Sequence, residues 1–350
     1  MPLVMDRDPS EIREPGPRED RYARRARARR DAPPPSFEIA LVNNMPDAAL
    51  AGTERRIAEL LDAVARDRVV TLKRYSLPGI SRSEQGRQYL SRGYSDINDL
   101  WSHHFDALIV TGTEPLTPDL RAETYWDSLT EVLDWAADHV ASTMLSCLAA
   151  HGAVLHFDGI SRHALGDKCL GVFDHARTSD HALTRNLGAR LKIPHSRCNE
   201  VREDALISCG YRILTKSADA GVDMFVKQRK TSLFVHFQGH PEYGRGVLLS
   251  EYKRDIGRFL RGERTIYPVM PRGYFDAAAT EALNIFQQQA LAHPYPDTLA
   301  GFPDALAASR LTNPWRSSAM HIFGNWLSYL GERRMDARAP AGWRGTMARA

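Results

Sequence analysis

His139-Val-Ala-Ser-Thr-Met-Leu-Ser-Cys147-Leu-Ala-Ala-His-Gly152 is the stretch from which the fold can be read. An apolar, β-branched run, Ala141 to Ser146, leads into Cys147. The helix formers Leu148, Ala149 and Ala150 follow at once. The pattern predicts a strand, a sharp turn carrying Cys147, and a helix. A thiol there faces free N–H groups and the positive end of the helix dipole, which favour the thiolate. The same N–H groups suit the oxyanion of an acyl intermediate. The competing reading of Cys147 is a buried structural cysteine, because free Cys is among the most buried residue types.

The segments before this stretch repeat its logic. Phe37 to Val42 reads as a buried strand, broken by Asn43-Asn44-Met45-Pro46-Asp47. Thr53 to Arg66 carries Ile57, Leu60, Leu61 and Val64 at helical spacing. Val69 to Leu72 is a second strand, and Ser81 to Gly93 a loop or irregular helix. Phe105 to Val110 is a third strand that runs into Thr111-Gly112-Thr113-Glu114-Pro115. Trp126 to Ala137 is a helix. Strands alternating with helices predict an α/β fold, a mostly parallel sheet with helices on both faces. Ligands collect beyond the C-terminal strand ends of such sheets, where both the Thr111-Gly112-Thr113 turn and Cys147 belong.

After Cys147 the pattern weakens. Lys168 to Tyr243 holds only short strand-like runs, such as Leu191–Ile193 and Tyr211–Leu214. Leu233 to Phe237 is a further strand, ending in Gln238-Gly239-His240-Pro241-Glu242-Tyr243, and Val247 to Leu260 is a helix. Arg261 to Pro314 is poorly patterned. Trp315 to Leu330 reads as a closing helix offering Trp315, Met320, Phe323 and Leu327 to a core.

Composition sets the bounds. With 350 residues, 43% hydrophobic and 25% charged, the chain can bury a substantial core. Its net charge of +3 is small, and much of the positive charge lies in the first thirty residues, which argues against nucleic-acid binding. Residues 1–35, with the run Arg21 to Arg30, read as a disordered basic extension, 36–330 as the functional domain, and 331–350 as a flexible tail. The four cysteines have no metal-ligand spacing and point to a reduced, cytoplasmic setting. There is neither an 18-residue apolar run nor an apolar signal region at the N-terminus.

His240 and Glu242 flank a proline just after a strand. That spacing lets a carboxylate orient an imidazole and stabilise its protonated form. With Cys147 beyond another strand, a Cys-His-Glu nucleophilic site is expected. His151 and His156 rank below His240, because they lie on or after the helix that follows Cys147. Arg254, with Glu251 and Asp255, has an ordinary solvated helix face as its alternative. Lys168 and Ser196 fall in polar loops.

Together these segments resemble the homoserine O-acyltransferases of methionine biosynthesis, of the homoserine O-succinyltransferase type. The resemblance rests on Phe105 to Gly112, Tyr125-Trp126, Leu170 to His175, Pro194-His195-Ser196-Arg197, Gly239 to Tyr243, Trp315 to Ala319 and Asn325-Trp326-Leu327. It implies a class I glutamine-amidotransferase-like fold, a flavodoxin-like three-layer sandwich. It also implies acyl-CoA as donor, L-homoserine as acceptor, no bound cofactor or metal, and a homodimer. Cys147 would carry the acyl group, with His240 as general base oriented by Glu242. Lys168, Ser196 and Arg254 match substrate-binding positions. Leu116 falls where glycine accompanies succinyl-CoA and glutamate accompanies acetyl-CoA; lacking a charge that would repel a succinyl carboxylate, leucine favours succinyl. The chain departs from the family at Leu148, usually Trp, and at Asn43-Asn44 before Met45-Pro46. Acetyl transfer, acylation of a related hydroxy-amino acid, a glutamine amidohydrolase and a non-catalytic binding protein are the alternatives.

Overall fold

The computed structural model describes residues 3–4 and 36–338. Its first half consists of β1 (Leu3–Val4), β2 (Ser36–Val42), α1 (Asp47–Ala65), β3 (Val69–Tyr75), α2 (Glu84–Ser91), β4 (Ala107–Val110), α3 (Trp126–His139), β5 (Ser142–Ser146) and α4 (Leu148–Asp158). The second half holds β6 (His163–Arg177), β7 (Arg190–Glu200), α5 (Glu203–Ser208), β8 (Arg212–Ile213), β9 (Thr215–Ser217), β10 (Gly221–Val222), β11 (Met224–Arg229), β12 (Ser232–Phe237), α6 (Val247–Leu260), α7 (Ala277–Ala292), α8 (Asp304–Ser309) and α9 (Arg316–Arg338).

The main sheet runs β1-β3-β2-β4-β5-β12-β11-β8. From β1 to β12 every pairing is parallel; β11 and β8 close the edge antiparallel. Alternate residues of the parallel strands serve two cores. Ile39, Leu41, Ile109 and Met144 pack with α1 and α9 on one face. Ala40, Val42, Leu108 and Val110 pack with α3 and α4 on the other. Strands buried on both sides need continuous apolar runs, which is why β2 and β4 read so plainly from sequence. The result is the expected mostly parallel α/β sheet between two helical layers.

Three expectations change. Lys168 and Ser196 are not in loops: β6 and β7 form an antiparallel pair, with Leu170 opposite Ser196, in a second sheet ordered β10-β9-β6-β7. These strands alternate exposed and buried residues over only part of their length, so their polar faces resemble loop sequence. The segment from Arg261 to Pro314 contains α7, whose Asp276 N-cap accepts from Ala279 N–H at 2.8 Å and which buries Ala279, Leu283, Phe286 and Ala290. Finally, α9 continues to Arg338, eight residues into the stretch expected as tail. The basic extension over 1–35 lies outside the described residues except for Leu3–Val4. No helix among the described residues is long and apolar enough to cross a membrane.

Candidate active site

β5 and β12 are neighbours, with Ser146 opposite Phe237, so whatever follows each strand meets at one edge. Cys147 follows β5. Its φ of 52° and ψ of −111° lie where non-glycine residues rarely sit, at a strain of about 1–3 kcal/mol. The turn is held by the Cys147 N–H, which donates to Phe237 O at 2.7 Å. This geometry lifts the side chain out of the sheet onto the N-terminus of α4, where first-turn N–H groups have no helical partner. Gly112 explains how closely the Thr-Gly turn can approach: a Cβ there would stand 2.9 Å from Leu148 N.

His240 and Glu242 follow β12. The ring donates from Nδ1 to Glu242 Oε1 at 2.9 Å, and the Ser146 hydroxyl donates to the same oxygen at 3.1 Å. Cys147 is near enough to act on the charge of the His240 ring. Burial works against a charged ring, but Glu242 and Cys147 outweigh it and hold the His240 pKa well above the ordinary value. Burial likewise opposes the Glu242 carboxylate, yet His240, assisted by Arg56 of α1, keeps its pKa low. Tyr243 stacks on the imidazole, with ring centres 4.1 Å apart and planes 17° apart.

Every residue of the turn that presents His240 is anchored. Gln238 Oε1 accepts from Val201 N–H at 2.8 Å and faces His151 Nε2 at 3.0 Å, tying the turn to α4. Gly239 N–H donates to Asp223 Oδ1 at 2.7 Å, and His240 N–H donates to Pro194 O at 2.8 Å. A side chain at 239 would collide with Asp223, Ile193 and His195, all within 2.9 Å. Beneath lies a fully buried pair of rings, His195 and His175. Arg197 Nε–H donates to His195 Nδ1 at 3.3 Å, so the His195 proton is on Nε2, which faces His175 Nε2 at 3.1 Å. His175 then donates from Nδ1 to Phe173 O at 3.1 Å.

The three substrate-site candidates converge on α6. Lys168 Nζ donates to Asp255 Oδ2 at 2.8 Å, and Arg254 pairs with Asp255 Oδ1 at 3.2 Å. Asp255 is only 3% exposed, so the solvated-face reading of this helix is wrong on that side. Ser196 bonds to Glu251 Oε2, whose other oxygen accepts from the Tyr243 hydroxyl at 2.7 Å. Thus Lys168 and Ser196 are tied to α6, Ser196 through Glu251 to Tyr243 of the His240 turn, while Arg254 is exposed beside Asp255. Leu116 does not pack into the crevice; it is 80% exposed on the loop after the Thr-Gly turn. The Asn43-Asn44 departure is buried and polar but satisfied. Asn44 N–H donates to Thr111 Oγ1 at 2.8 Å, and its Oδ1 accepts from Leu77 N–H at 3.1 Å.

Ser146, Arg56, Asp223, Tyr243, Glu251 and Asp255 had no assigned role in the sequence reading. Tyr243 adjoins the His-Pro-Glu run, and Glu251 and Asp255 flank Arg254 within one helical turn, so their neighbourhood was a signal. Asp223 carried none. Among the described residues, no group of three or more His, Cys, Asp or Glu is arranged to hold a metal ion.

This arrangement places a thiol beside an imidazole–carboxylate pair, and the family of the chain follows from comparison with known proteins. The family model for homoserine O-succinyltransferase matches residues 21–336. A homoserine O-succinyltransferase of Rhodopseudomonas palustris is 46% identical over 291 residues, 83% of this chain and 87% of that protein. One from Bradyrhizobium japonicum is 44% identical, covering 87% and 93%. Among solved structures, a glutamine amidotransferase from Methylobacillus flagellatus aligns with a TM-score of 0.44 at 10% identity, over 85% of this chain and 95% of that one. The chain belongs to the homoserine O-succinyltransferase family and is an acyltransferase.

Proposed function

We propose that the protein transfers the succinyl group of succinyl-CoA to the hydroxyl of L-homoserine in two displacements through Cys147. The observation that carries this reading is the buried His240–Glu242 pair at the C-terminal edge of the parallel sheet, next to the half-buried Cys147. In the first half, Cys147 Sγ, its proton already held by His240, attacks the thioester carbonyl. Nδ1 is engaged by Glu242, so Nε2 is the nitrogen for this task. Collapse breaks the carbonyl–sulfur bond to CoA, and His240 returns the proton to the departing sulfur. In the second half, the homoserine hydroxyl attacks the enzyme thioester, His240 takes the hydroxyl proton, and the Cys147 sulfur leaves and regains it. The free N–H groups at the start of α4 hold the oxyanion in both halves.

Arg254 offers a guanidinium to the amino-acid carboxylate. Glu251, beside it on α6, offers a carboxylate to the ammonium group, with Ser196 and Lys168 completing the pocket. The family resemblance adds a homodimer, to be read by sedimentation velocity, and a cytoplasmic setting that suits four unpaired cysteines. Incubating the protein with succinyl-CoA and L-homoserine should yield O-succinylhomoserine and free CoA in equal amounts, with parallel double-reciprocal lines. Ammonia release from glutamine without acyl transfer would overturn the reading.

A further inference from the structure

Four cations that follow α4 approach the crevice, and three are already committed. Lys168 and Arg254 share Asp255. Arg258 forms a two-point pair with Glu114, at 2.7 and 3.0 Å. Arg162 is different: among the described residues no carboxylate lies within ion-pair distance of it. Arg56 of α1 also has no ion pair among the described residues, but it lies over the Tyr243 ring and acts on Glu242.

Arg162 stands three residues past Gly159, which caps α4 in the left-handed region at φ 67°. One terminal nitrogen, Nη2, donates to the carbonyls of Thr117 and Pro118, both at 2.9 Å. Its Nε is buried without a partner, as is the Tyr125 hydroxyl nearby. The loop it grips starts at Gly112, pressed against the Cys147 elbow. That loop is tied down by Glu123, whose Oε1 accepts from Leu116 N–H at 2.7 Å and Thr117 N–H at 2.6 Å. Through this loop the guanidinium is coupled to the turn at Gly112, whose Cα abuts Leu148 next to Cys147. A half-buried cation with an unmatched donor, beside an acyl-carrying thiol, suits an anion at the far end of the acyl group. The distal carboxylate of a succinyl chain lies four bonds from the thioester sulfur, roughly 5–6 Å when extended.

We propose that Arg162 reads the distal carboxylate of the succinyl donor, and that its grip on the loop around Leu116 holds the guanidinium in position to do so. This assignment rests on the proposed function, so its test keeps the two apart. The probes are succinyl-CoA and butyryl-CoA, equal in chain length but differing in the terminal charge. The readout is the ratio of their kcat/KM values, which does not depend on how much of a variant is folded. The wild type should favour succinyl-CoA, and Arg162→Gln should cut that preference roughly 100-fold. Arg162→Lys should restore part of it. A preference within twofold of wild type in Arg162→Gln would overturn the role of Arg162 and leave the proposed function standing. A wild type that does not favour succinyl-CoA would break the proposed function itself.

Discussion

Two buried imidazole–carboxylate pairs lie on either side of the Gly239 turn, and they resolve in opposite ways. In the His240–Glu242 pair the groups meet at 2.9 Å, the ring is held above its ordinary pKa, and the carboxylate is held below. In the His195–Asp223 pair the closest approach is 3.8 Å; burial, joined by Arg197 and His175, holds the ring well below its ordinary pKa, and burial raises Asp223. Burial penalises charge in both. The first pair overcomes it with a direct hydrogen bond and a Ser146 donor. In the second, the Arg197 N–H occupies His195 Nδ1 and fixes a neutral ring. The same two residue types thus make an ionised working pair and a neutral scaffold beneath it.

The contrast can be broken most severely at His240. His240→Asn should lower kcat/KM for succinyl-CoA by roughly 10³–10⁴-fold, measured by CoA release. Loss of less than tenfold would mean that another group moves the proton. Next comes Glu242→Gln, which keeps a hydrogen-bonding partner but removes its charge. It should lower kcat by roughly 10–100-fold with little change in the homoserine KM. It should also move the acid limb of the pH–rate profile to lower pH, because the ring loses the carboxylate that raised its pKa.

Asp223→Asn sharpens the comparison from the other side. An amide still accepts from the Gly239 N–H, and burial has already raised the carboxyl, so kcat should fall by no more than about threefold. A loss equal to that of Glu242→Gln would show that Asp223 works as a charge. Asp223→Ala leaves that buried N–H unmatched and should cost about 1–3 kcal/mol in urea unfolding.

The smallest effect concerns stability against pH. His240 is raised, so its contribution is complete below its ordinary 6.5 and fades as pH climbs through the folded-state value. Glu242 is lowered, so its contribution is complete above its ordinary 4.5 and fades as pH falls through its folded-state value. The Tm gap between wild type and His240→Asn should therefore be widest between 4.5 and 6.5 and narrow toward alkaline pH. A gap that widens with rising pH would contradict the ionised pair.

What could be read from sequence was local. The strand, turn and helix around Cys147 announce themselves because the apolar run, the thiol and the small helix formers are contiguous. The α7 helix was not read, because its exposed face hid the period of the buried positions at Ala279, Leu283, Phe286 and Ala290. The partners of the site were not legible. Lys168 finds Asp255 across 87 residues, and Gly239 finds Asp223 across a sheet edge that only the β11–β12 pairing creates. Nothing in the composition of β6 and β7 distinguishes a half-exposed antiparallel strand from a polar loop.

The most direct test of the account is intact-protein mass spectrometry after brief mixing with succinyl-CoA in the absence of acceptor. The wild type should gain one succinyl-sized increment that maps to Cys147 and disappears when L-homoserine is added. Cys147→Ala should gain none. An increment that persists in Cys147→Ala, or turnover of succinyl-CoA to O-succinylhomoserine by that variant, would contradict the central role of Cys147.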